Sequence, residues 1–240
     1  ARHPFHLTTG RLRDQWHGMS RTGRIAQAFS HAPDPTLDMH PADASRRGLF
    51  DGDLVRVASR DGAMVLPLRL TDDLPPGSLF AAMHWNAQFL NSGGINEVCN
   101  AAVDDKSFQP ELKHSAVRVE KADLGWRIRA AIEATDQEDA LRLRAALQPL
   151  LAPCGYAALG LRGDASRSVL ALTAAMATPD EAWLDALAGA LGMGASPDVL
   201  EYRDRGQGVR KCARWQTGRL RAFMRAGDVG HAEPLIQHLL

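Results

Sequence analysis

The 240-residue chain is 45% hydrophobic and 23% charged, and Lys+Arg and Asp+Glu balance at 28 each. That balance excludes the global positive field of a nucleic-acid binder or a polybasic membrane-surface protein. No apolar run reaches bilayer length and no signal-peptide pattern is read, so neither nucleic acid nor membrane is an expected partner.

The chain opens without Met, inside what reads as a strand, RHPFHL, as a fragment of a longer protein or a chain with a trimmed terminus would. Thr8 to Arg24, TTGRLRDQWHGMSRTGR, follows at once. Two Gly-Arg pairs, small hydroxyl residues and Trp16 suit a backbone that wraps an anionic, nucleotide-like ligand. Glycines allow close approach, arginine forks take phosphate oxygens, and Trp16 offers a stacking face. Five arginines (Arg2, Arg11, Arg13, Arg21, Arg24) stand against Asp14 alone in the first thirty positions, which is where that wrap needs them. A Gly/Arg-rich surface loop is the plainer alternative.

Pro33 and Pro35 keep the next stretch extended, and Pro41 with Asp43 starts a short helix that Gly48 ends. GDLVRVASRDGAMVLPLRL reads as two strands joined by an Asp61-Gly62 turn, with Val55/Val57 and Leu66/Leu68/Leu70 alternating. SLFAAMHW is another strand, Asn86–Asn100 is an Asn/Gly-rich loop, and Ala116–Glu120 is a short closing strand. Many short strands with little helix predict a closed barrel over residues 1–120.

Residues 121–240 have another rhythm. WRIRAAIEA is a strand, and Thr135 with Glu138 reads as a capping box for a helix striped by Leu143, Leu147, Leu150 and Leu151. YAALGL and SVLALTAA are strands. A helix begins after Thr178-Pro179, is striped by Leu184, Leu187 and Leu191, and stops at Gly192 or Gly194; VLEYR is a strand. The order βαββαβ is that of a ferredoxin-like domain, here with an added hairpin (Val209–Trp215, Arg219–Arg225) and a last helix from His231. On that hairpin Leu220, Ala222 and Met224 alternate with arginines. A period of two gathers Arg210, Arg214, Arg219, Arg221 and Arg225 into one basic face, either simply solvated or a dock for an acidic electron-donor protein.

Cys99, Cys154 and Cys212 show no CxxC or Cys/His spacing, so no metal site is expected and a reducing, cytoplasmic location is. No catalytic residue is isolated: GxSxG, HExxH and P-loop patterns are absent. His17 serves a loop hydrogen bond or carries a proton. His6, His31, His40 and His114 have no ligand spacing. His84, Trp85 and Asn86 follow a strand, where a barrel mouth meets a ligand. Asn96 could read amide edges, and Lys113 is either solvated or neutralises phosphate.

TGRLRDQWHGMSRTGR, HPADA, GDLVRV, MHW and INEVCNAAVDDKSFQPELK, in that order, resemble the C-terminal cofactor-binding domain of molybdopterin-dependent oxidoreductases. Within that family the likeness is strongest to bacterial assimilatory nitrate reductase catalytic subunits, over about Phe5 to Val119. The resemblance implies a double-psi β-barrel that clamps bis-molybdopterin guanine dinucleotide carrying molybdenum. It implies that Thr9, Gly10, Arg11, Trp16, His17, Met19 and Ser20 line one dinucleotide site, with His84, Trp85, Asn86, Asn96 and Lys113 completing the sites. Cys99 stands where the family commonly has Thr, and Leu112 where it has Phe. LEYRDRGQGVRKCARWQTGRLRAFMRAGD resembles, less specifically, the region that follows this barrel in assimilatory enzymes. The main iron–sulfur domain and the metal-ligating residue would lie in upstream catalytic domains of the same enzyme, and a small iron–sulfur domain follows this region in longer relatives, so this piece is inactive alone. The alternatives are the same region of another molybdenum enzyme such as formate dehydrogenase, or a free-standing nucleotide-binding barrel.

Overall fold

The structure, a computed structural model, describes residues 2–111, 113–164 and 166–240. It divides into two units: residues 1–18, 35–88 and 92–123, and residues 19–34, 89–91 and 124–240. The glycine- and arginine-rich stretch therefore changes unit between Gly18 and Met19.

In the first unit, strands β1 (Phe5–Gly10), β2 (Leu37–Met39), β3 (Leu54–Ala58), β4 (Ala63–Leu70), β5 (Ser78–Ala82) and β6 (Ser115–Lys121) close a barrel in the order β1-β5-β2-β4-β3-β6. The pairs β1–β5 and β2–β4 are parallel and the other four antiparallel. Alternation fills the inside: Leu7, Leu37, Met39, Val55, Val57, Leu66, Leu68, Leu79, Val117 and Val119 are buried, while Leu70 is only half-buried. The helix α1 (Pro41–Ser45) begins at Pro41, with His40 Nδ1 accepting from the Ala42 N–H at 3.1 Å. The buried Asp43 carboxylate accepts from the Gly77 N–H at 2.6 Å, tying α1 to the start of β5. Asp38 is a second buried acid, held bidentately by Arg69.

In the second unit, β7 (Trp126–Ala134), α2 (Gln137–Leu147), β8 (Tyr156–Gly163), β9 (Ser168–Met176), α3 (Glu181–Ala190), β10 (Val199–Asp204), β11 (Val209–Gln216), β12 (Arg219–Ala226) and α4 (Ala232–Leu239) follow in order. They form an antiparallel sheet ordered β10-β11-β12-β7-β9-β8. The strand after α3 thus lies at the sheet edge, and β12 takes the place beside β7. Period two makes both faces apolar. Ala131, Val169, Ala171 and Phe223 pack under Ile236 and Leu239 of α4. Ile128, Ala130, Ile132, Leu170 and Leu172 point to the opposite face, which α2 covers.

Two sequence expectations are corrected here. The α2 cap is Asp136, not Thr135: its carboxylate accepts from the Asp139 N–H at 2.8 Å, while Thr135 N–H donates to the Asp139 side chain at 3.0 Å. The helix starts one residue later than the box requires, so Glu138 stands at its second position. The hairpin does not gather all five arginines on one face. Arg210 and Arg214 face Ala226 and Ala222, so they share the apolar face, whereas Arg225 lies opposite Lys211 on the α4 face. A bulge at Arg221 then reverses the alternation, sending Leu220 to the side of Phe223. The arginines are also paired: Arg210 with Asp185 and Glu201, Arg225 with Asp228, Arg219 and Arg221 with Glu133. The expected basic face made of all five arginines is therefore absent among the described residues, because Arg225 lies on the other side.

Asp180 caps α3, accepting from the Trp183 N–H at 3.0 Å. Asp180→Ala should cost about 1 kcal/mol, measured by urea unfolding followed by circular dichroism; a change below a few tenths would show that the cap contributes nothing.

Candidate functional site

The site starts from one pairing. β1 and β5 run side by side in the same direction, with Gly10 opposite Ala82, and the Met83 N–H donates to the Gly10 carbonyl at 3.0 Å. Parallel neighbours end at the same rim. The loop of residues 11–18 and the His84-Trp85-Asn86 segment therefore leave the barrel together. β6 runs antiparallel to β1, so the residues preceding it lie at that rim too, and Lys113 Nζ donates to the Thr9 carbonyl at 2.6 Å.

His84 is fully buried and pins the loop at two points. Its Nδ1 lies 2.5 Å from the His17 carbonyl, and its Nε2 accepts from the Leu12 N–H at 2.8 Å. A carbonyl only accepts and an N–H only donates, so the neutral ring carries its proton on Nδ1. Burial, opposed by the His17 carbonyl and reinforced by the charge of Arg11, holds this imidazole below its ordinary pKa. Asn86 adds a third pin, donating to the Gly18 carbonyl at 2.8 Å and accepting from the Gln88 N–H at 2.9 Å. The left-handed backbone at His17 (φ 44°) turns the loop between these anchors.

The anchored loop presents one half-exposed aromatic surface and one cation. Trp16 is 50% exposed, with the His17 ring edge-on at 4.7 Å and the Arg11 guanidinium 5.0 Å from its ring centre. Arg13 is held by Asp14 through two bonds of 2.9 and 2.8 Å; these raise its pKa, with the Asp14 charge adding to them. Arg11 makes no ion pair among the described residues. Trp85 is buried. Asn96 is exposed on the 3-10 turn Ile95–Glu97, whose preceding Gly94 lies against the Trp85 carbonyl. So Thr9, Gly10, Arg11, Trp16, His17, His84, Trp85, Asn86, Asn96 and Lys113 all fall in the first unit, where hydrogen bonds join Thr9 to Lys113 and, separately, His84 to the His17 and Asn86 positions. Met19 and Ser20 fall in the second unit, where Met19 is buried beside Gly23 and Ser20 is exposed. Leu112 lies outside the described residues.

Sequence reasoning missed what the backbone does: the Leu12 N–H and the His17 and Gly18 carbonyls carry no sequence signal. It also missed that Arg13 is neutralised, although the adjacent Arg-Asp pair was a readable sign. Cys99 is buried beside Ser115, and burial pushes its thiol pKa up, as fits an inert core residue. Among the described residues, no group of three or more metal-ligating side chains occurs and no helix is long and apolar enough to cross a membrane.

The donor set suits a phosphorylated ligand with a planar base: a guanidinium unoccupied by carboxylate, an aromatic face and a fixed loop. Residues 5–116 match the family model of the molydopterin dinucleotide binding domain. A nitrate reductase from Klebsiella oxytoca is 42% identical over 127 residues, 53% of this chain and 15% of that protein. The F420-dependent formate dehydrogenase subunit alpha of Methanocaldococcus jannaschii is 34% identical over 119 residues, covering 50% and 17%. The periplasmic nitrate reductase of Desulfovibrio desulfuricans is 35% identical over 122 residues, covering 51% and 16%. The chain thus spans between 15% and 17% of the length of these relatives.

Proposed function

We propose, from the match of residues 5–116 to the molydopterin dinucleotide binding domain model, that this chain is the cofactor-clamping part of a nitrate reductase converting nitrate to nitrite. The cofactor is bis-molybdopterin guanine dinucleotide, and the barrel is of the double-psi type. The observation that carries the reading is the joint rim of β1 and β5, where the His84 pin fixes a loop bearing Arg11 and Trp16. Arg11 and the loop N–H groups would take the pyrophosphate, Trp16 would stack on the base, and Asn86 and Asn96 would meet its edges. When bound, the molybdenum centre supplies the redox chemistry. The residues here hold its tether, so the piece is inactive without the upstream domains. The 42% identity to a protein named nitrate reductase supports this substrate. The formate dehydrogenase at 34% keeps formate oxidation as the second reading. We infer that residues 121–240, a βαββαβ order with an added hairpin, are the accessory domain that follows the barrel in assimilatory, cytoplasmic enzymes.

The test is retention of the extracted dinucleotide cofactor by the purified chain. Arg11→Ala and Trp16→Ala should each weaken it about tenfold or more, since a charge-assisted bond or a lost stacking face is worth roughly 1.5–3 kcal/mol. Wild-type affinity in both variants, or equal binding of molybdopterin lacking the nucleotide, would sink the assignment.

A further inference from the structure

We propose that the second unit carries a binding site for a small, multiply charged anion bearing carboxylate or phosphate groups. A cleft of about 540 Å³ opens between α2, the C-terminal end of α3 and the sheet at β7, β11 and β12. Arg142, Arg214 and Arg221 line it against only Glu133 and Asp139.

Neither carboxylate is spare. Asp139 takes Thr135 and Arg142. Glu133 takes Arg221, with Arg219 at 3.6 Å and Arg167 at 3.9 Å from the same carboxylate. One carboxylate thus answers three guanidinium groups. Arg214 has no carboxylate partner among the described residues; it reaches only the Gly192 carbonyl, at 3.4 Å. The Nε atoms of both Arg214 and Arg221 are buried without an acceptor.

Buried guanidinium donors without acceptors are costly unless something accepts from them. Here they meet an excess of positive charge inside one concavity. An anion supplies both the acceptors and the countercharge, and the planar forks favour carboxylate or phosphate oxygens. The volume is within the range of small-molecule sites, and Ile132 and Leu143 give the cleft an apolar portion. A single small monoanion would leave most of the guanidinium groups unanswered, so a di- or trianion fits the cleft.

The test is isothermal titration of the full chain near neutral pH and low salt, with citrate and pyrophosphate in separate arms. One saturable site per chain is expected. Saturation by pyrophosphate alone identifies a phosphate ligand, and by citrate alone a carboxylate one. The double variant Arg214→Ala, Arg221→Ala should weaken binding about tenfold or more, while Glu133→Gln, which removes the competing carboxylate, should tighten it roughly threefold. If the arginine variant fails to fold, the Glu133→Gln titration and the anion-dependent rise in wild-type Tm decide. No saturation in either arm, unchanged affinity in the folded arginine variant, or weaker binding by Glu133→Gln overturns the proposal.

Discussion

Gly94→Ala is expected to destabilise the barrel unit by about 3 kcal/mol or more. Gly94 sits at φ 81°, where a side chain is strained in any surroundings, and an added Cβ would lie 2.0 Å from the Trp85 carbonyl oxygen. That neighbour is backbone, so it cannot swing aside as a side-chain tip would. The closeness also has a purpose in the fold. It seats the turn carrying Asn96 against the segment that carries His84, Trp85 and Asn86. Gly77 is the control: its φ of 86° is similar, but nothing lies within 4 Å of its would-be Cβ. Gly77→Ala should cost only about 1 kcal/mol, the backbone strain alone. Denaturant unfolding followed by tryptophan fluorescence compares the two. Equal losses would show that the contact with Trp85 is unimportant.

His84→Ala is expected to cost about 3 kcal/mol and to remove a pH dependence. The change leaves the Leu12 N–H and the His17 carbonyl without their partner and opens a cavity beneath the loop. The pH effect follows from burial, which depresses this imidazole below its ordinary value. Below a pH of about 6.5 the unfolded chain takes up a proton that the folded site refuses. The stability from His84 is therefore complete above the unfolded pKa. It falls as pH drops from there toward the lower folded pKa, by at most about 1.4 kcal/mol per pH unit. Protonation also turns Nε2 into a donor facing the Leu12 N–H, so the loop should loosen in the same window. The difference between wild-type and His84→Ala stability should shrink on going from neutral to mildly acid pH. A difference constant across that range would mean the ring does not sense protons.

The two experiments probe different links. Gly94 tests whether packing fixes the rim, and His84 tests whether a buried polar group fixes the loop upon it. Loss of cofactor retention in both, with Arg11 and Trp16 intact, would place pre-organisation of the loop ahead of the direct contacts proposed for it.

The sequence by itself determined the parts list. Strand alternation at Val55/Val57 and Leu66/Leu68, the helix stripes at Leu143/Leu147 and Leu184/Leu187/Leu191, and the breakers Pro41, Gly48 and Gly192 are local signals, because period and turn chemistry act within a few residues. The order of motifs around TTGRLRDQWHG was likewise enough to point to the dinucleotide-binding family. Only the tertiary structure decided which parts meet. The pairing of β1 with β5 spans some seventy positions and rests on barrel closure, which no local pattern encodes. Burial then made His84 a pin and not a free contact, and the hairpin register, which sets Arg210 opposite Ala226 and Arg225 opposite Lys211, divided the arginines that read as one basic face. Partnering settled the rest: Arg13 is taken by Asp14 while Arg11 lies over Trp16, a distinction between two identical side chains that arises only from where their neighbours are placed.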